Sequence, residues 1–65
     1  MNIYVGEYSA SQKAYHISTL NEVISNNIIA IGRKTNSDYL PVCYGYSVEE
    51  VRRQLEEIQN RIEKI

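Results

Sequence analysis

Cys43 and His16 are the sequence's one thiol and one imidazole, and so the obvious nucleophile and base it could bring together. Such a pair works only if the base sits beside the thiol and a third group orients the base. Cys43 lies in an apolar, tyrosine-flanked run (PVCYGY), which reads as the setting of a structural cysteine. His16 alternates within a strand-like stretch and reads as a surface or hairpin histidine. No catalytic residue is expected, and an enzyme is the least supported class. A single cysteine excludes an internal disulfide, and one cysteine with one histidine cannot fill the four positions of a structural zinc site. Neither a metal nor a cofactor is expected. Gly6, Gly32 and Gly45 stand apart, so no glycine cluster precedes a helix to cradle a phosphate. Gly45, between Tyr44 and Tyr46, reads as a strand-end glycine relaxing the turn into Ser47.

The aromatic chemistry rests on tyrosine alone, since the chain has six tyrosines and neither Phe nor Trp. Tyr4, Tyr8, Tyr15, Tyr39, Tyr44 and Tyr46 all fall on strand-like segments. Tyrosine supplies stiff contact area with a hydroxyl handle, which is why it concentrates at binding hot spots. If several share one sheet face, that face is a binding surface for a protein. With Arg33 or Lys34 near, it could instead stack a nucleobase and meet its phosphate. The plainer reading is that they replace Phe and Trp in the core.

Charge excludes other partners. The net charge is −1. Bases and acids are balanced along the chain, three of each in residues 1–46 and four against five in residues 47–65. No basic field exists to attract a polyphosphate, so nucleic acid is not an expected partner. The longest apolar run, residues 28–31, is far too short for a membrane span. With no charged-then-apolar leader visible and a lone thiol, the expectation is a cytoplasmic protein.

Seventeen Leu, Ile and Val residues mark the chain as globular, and 65 residues make one domain, 1–65. Residues 2–8 and 13–18 alternate as the two strands of a hairpin. Thr19 and Glu22 have capping-box spacing, so 19–27 reads either as a short helix that Ser25-Asn26-Asn27 would end or as an irregular turn. Ile28-Ile29-Ala30-Ile31 is almost continuously apolar and β-branched, which reads as a central strand buried on both faces. Residues 35–38 form a turn, and 39–46 return as a strand. In that strand Leu40, Val42 and Tyr44 would face one way and Cys43 the other, and Pro41 places it at an edge or delays its pairing until after Pro41.

Residues 47–65 carry the clearest pattern. Val48, Val51, Leu55, Ile58, Ile62 and Ile65 repeat at three–four spacing behind a Ser47/Glu50 capping box. Glu49–Arg53 and Glu57–Arg61 are correctly oriented i,i+4 pairs. The fold class expected is α+β, a small antiparallel sheet of three to four strands in the order β-β-(short α)-β-β-α. The long C-terminal helix packs on one face, with one or two turns overhanging. The overhang carries Ile62 and Ile65, and the candidate interface for a second subunit or a target is Leu55, Ile58, Ile62 and Ile65. A chain this small buries only about 60% of its unfolded surface, so self-association as a homodimer or higher oligomer is expected.

Three readings follow. In style, as a small autonomous chain rich in Asn and Ile, it resembles the accessory proteins of phages and mobile elements, which implies stoichiometric inhibition or adaptation of a larger host protein. A nucleotide-type small molecule held at an oligomer interface is the second reading. The stretch GYSVEEVRRQLEEI (45–58) resembles the strand-to-helix junction of HicB-like antitoxins, without the rest of that pattern, and implies a transcriptional regulator as the third.

Overall fold

The computed structural model describes residues 2–64. It is α+β, with strand β1 (Tyr4–Ser9), strand β2 (Ala14–Thr19), helix α1 (Leu20–Gly32), strand β3 (Tyr39–Gly45) and helix α2 (Val48–Glu63). The three strands form one antiparallel sheet in the order β2-β1-β3. Ile65 of the expected interface lies outside the described residues.

The N-terminal hairpin forms as its alternation predicts, with Tyr4 opposite Thr19 and Ser9 opposite Ala14. Its turn needs one left-handed residue, which Lys13 supplies at φ 54°. The strand expected at residues 28–31 is not one. Those residues continue α1, and the central strand is β1. The Thr19 hydroxyl accepts from Glu22 N at 3.2 Å, and the helix this cap starts runs through Asn26 and Asn27 without breaking. Asparagine lowers helix stability by a few tenths of a kcal/mol and does not terminate a helix, whereas glycine or proline would. The apolar run looked like a buried strand because continuous apolarity is read as burial. Here Ile28, Ile29 and Ile31 are exposed.

β3 is an edge strand, one of the two arrangements Pro41 allows, and its pairing already includes Tyr39 and Leu40 ahead of the proline. Its facing differs from simple alternation. Gly6 pairs with Cys43 and Glu7 with Pro41, so Val42 is an extra residue in a β-bulge. Leu40 and Cys43 therefore share one face, and Pro41 and Tyr44 share the other.

α2 lies on the face of Tyr4, Gly6 and Tyr8. Ser47 caps it, accepting from Glu50 N at 3.1 Å, and Glu50 Oε2 accepts from Tyr46 N at 3.2 Å. Val51 and Leu55 are buried beneath it, and a methyl added at Gly6 would sit 2.9 Å from Leu55 and 3.0 Å from Val51. Gly6 is what lets the helix approach. Gln54 Nε2 donates to Tyr44 O at 2.8 Å and ties α2 to β3. Of the two i,i+4 pairs, Glu57–Arg61 closes to 3.9 Å, and Glu49–Arg53 is not among the ion pairs of the described residues.

The opposite face of the sheet has no helix layer. The Cα envelope measures 36 × 32 × 13 Å, too thin for a helix on each side of a sheet at about 10 Å per layer. α1 leaves from the Tyr4 end, where Leu20 N donates to Ile3 O at 2.8 Å, and only Val23 is buried.

Candidate binding groove

Sixteen residues give α2 a length of about 24 Å. It starts at the Gly45 end of the sheet and reaches the far end, where Tyr8 pairs with both Tyr15 and Leu40. Along it, Val51 is fully buried, Leu55 nearly so, Ile58 is half-buried and Ile62 is 53% exposed. Leu55 thus belongs to the chain's own core and is not free for the interface expected of it. Its position over Gly6 consumes the side chain. Ile58 and Ile62 remain available.

Under the last turns of α2 an apolar groove of about 360 Å³ opens, lined by Tyr8, Tyr15, Leu40, Val42 and Ile62. The rings of Tyr8 and Tyr15 stack at 5.0 Å between centroids with a 57° tilt, making a rigid aromatic wall. Leu40 and Val42 stay exposed at the opposite rim because β3 is an edge strand. The structure therefore brings Ile62 together with two of the six tyrosines. Leu40 and Val42, which alternation already places on one face, join them, while the bulge at Val42 turns Tyr44 away from α2 and Cys43 toward it.

The other tyrosines separate from this groove. Tyr4 shares the α2 face but stands at its opposite end, paired with Thr19 and Gly45. Tyr39 and Tyr44 lie on the open face, and Tyr46 is exposed beyond the strand. Arg33 caps the C-terminus of α1 and Lys34 follows it in the left-handed region at φ 58°. Neither lines the groove. The tyrosines are split between two faces rather than gathered on one.

Cys43 and His16 lie on opposite faces of the sheet, so they form no nucleophile–base pair. Cys43 points toward α2 beside Gly6, and burial raises its thiol above the ordinary cysteine value, with a hydrogen bond from the Gly6 backbone pulling the other way. His16 is on the open face, 2.7 Å from Gln12 Oε1 and edge-on to Tyr39 at 5.5 Å. Among the described residues no group of three or more His, Cys, Asp and Glu could hold a metal ion. No helix of the described residues is long and apolar enough to cross a membrane.

A polar cluster at the hairpin end was not anticipated. Fully buried Ser9 donates its hydroxyl to Asp38 Oδ2 and accepts from Gln12 N at 3.2 Å. Ser11 donates to the same carboxylate through its amide at 3.0 Å and its hydroxyl at 2.7 Å. Asp38 bonds the serines directly, without an intervening histidine, so the cluster fixes a turn and activates no hydroxyl. Comparison with protein-family models, with curated proteins and with solved structures returned no match to this chain.

Proposed function

We propose that this is a non-enzymatic binding protein of the phage or mobile-element accessory type, acting stoichiometrically as an inhibitor or adaptor of a larger protein. The observation that supports it is the groove of Tyr8, Tyr15, Leu40, Val42 and Ile62. The tyrosine pair is the hot-spot element, with stiff area and little side-chain entropy to lose, and the exposed aliphatic residues beside it add apolar area. Its volume suits one or two apolar anchor side chains of a partner. No cationic residue lines it, so it offers a nucleotide's phosphates nothing.

The test is capture from bacterial lysate on the immobilised chain, alongside the variants Leu40→Asp and Ile62→Asp. The reading expects one protein retained at a fixed ratio to the bait and lost with either variant. Retention indifferent to both variants overturns the groove as the seat. A thermal stabilisation that grows with nucleotide concentration would replace this reading with the small-molecule one. Retention of DNA at moderate salt would replace it with the regulator.

A further inference from the structure

The face of the molecule away from α2 carries a second apolar surface with a different construction. At 3.6 residues per turn, Leu20, Val23, Ile24, Ile28 and Ile31 of α1 fall within an arc of roughly 140°, interrupted only by Asn27 near its centre. Ile29 and Glu22 fall on the opposite side. Apart from buried Val23, exposure climbs along this stripe, from 36% at Leu20 through 47% at Ile24 and 63% at Ile28 to 76% at Ile31. At its inner end the stripe runs into a groove of about 390 Å³ on the open sheet face, walled by Ile3, Val5, Leu20, Val23, Pro41 and Tyr44, whose exposed lining is wholly apolar. Ridge and groove are therefore one continuous surface.

We infer that this surface is the interface with a second copy of the chain, related by a two-fold axis near Asn27. Three observations select that occupant. A compact monomer of 7.5 kDa exposes about 4,250 Å², and this chain exposes 5159 Å². The excess, roughly 900 Å² over the whole chain, is of the order of the about 800 Å² that each partner gives to a stable interface. Second, the surface is self-complementary. A projecting ridge and a recess of similar apolar character sit side by side, so the distal half of α1 in each copy can fill the recess of the other, as an isologous contact requires. Third, neither ridge nor recess carries a charged side chain, so two identical surfaces meet without like-charge repulsion. Asn27 would face its own counterpart at the axis, where a lone polar residue in an apolar seam fixes register. The pairing also covers Ile24, Ile28 and Ile31, which the single chain leaves exposed.

This assignment is independent of the α2-side groove, which lies on the other face. Sedimentation equilibrium of the intact chain should give twice the 7.5 kDa chain mass. Ile28→Asp combined with Ile31→Asp should shift it to the chain mass, while Ile29→Asp, on the far side of α1, should leave the dimer intact. A second measurement needs no dissociation. Asn27→Cys in a Cys43→Ser background should oxidise to a covalent dimer, because the two-fold places the new thiols together. A monomeric wild type, a dimer surviving the double substitution, dissociation by Ile29→Asp, or a dimer that fails to crosslink would each overturn the inference. A dimer that captures no target overturns the proposed function and leaves this inference standing.

Discussion

Asp38 accepts the hydroxyl of Ser9, a fully buried side chain 29 residues earlier in the sequence, and so pins the start of β3 to the turn of the N-terminal hairpin. Hydrogen bonds from Ser9, then from the Ser11 hydroxyl and amide, hold the Asp38 carboxyl below the ordinary aspartate range. A depressed carboxylate contributes stability that is fully present above its unfolded-state pKa. That contribution is lost as pH falls through the folded-state value. The unfolding temperature of the wild type should therefore drop on acidification below the ordinary aspartate pKa. Asp38→Asn, already weaker at neutral pH, should drop less over the same window. Parallel acid profiles of the two proteins would show that the carboxylate is not what the turn depends on.

Gly6 sets the distance between α2 and the sheet. A methyl there would stand 2.6 Å from Cys43 Sγ, with Leu55 and Val51 also inside normal contact range. Sulfur and two core side chains cannot all retreat, since the sheet backbone supports one and α2 the others. Gly6→Ala should cost about 2 kcal/mol, in the range of core overpacking. Urea unfolding at one protomer concentration reads this, and an unchanged midpoint would mean that α2 rides further from the sheet.

Both helix starts were legible in the sequence, because Thr19/Glu22 and Ser47/Glu50 encode their caps within four residues. The hairpin was legible for the same reason, its alternation being local. Residues 28–31 misled because an apolar run reports only that something must cover it. Whether that cover is a strand's neighbours or another surface is decided beyond the run. The groove was half legible. Ile62 stood out by spacing and Leu40 and Val42 by alternation, but their meeting with Tyr8 and Tyr15 depends on where α2 ends, and the facing of Tyr44 and Cys43 depends on a bulge. The link between Ser9 and Asp38 left no local trace, as serine and aspartate are ordinary turn residues.

Cys43 should be a poor nucleophile. Partial burial raises its thiol above the ordinary value, although Cys43 also lines a groove of about 430 Å³ with Gln54 and Ile58 between β3 and α2. The thiolate is the reactive form, so alkylation at neutral pH should proceed more slowly in the native chain than in urea. Equal rates in the two states would indicate that the α2 side of β3 is open to solvent.

The division of labour along α2 supplies a last expectation. Val51 is 0% exposed against the centre of the sheet, whereas Ile62 is half in water at the groove. Val51→Ala removes two methyls from a site that the rigid sheet cannot close over, and should cost about 2 kcal/mol. Ile62→Ala gives up only about half of that side chain's burial, and should cost about 1 kcal/mol, roughly half as much. The two variants share a helix, so any effect on helix propensity is nearly common to both. Urea midpoints that separate them in this order would mean that Ile62 is spared by folding and free for a partner. Equal losses would place Ile62 in the core and leave the groove without its apolar lip.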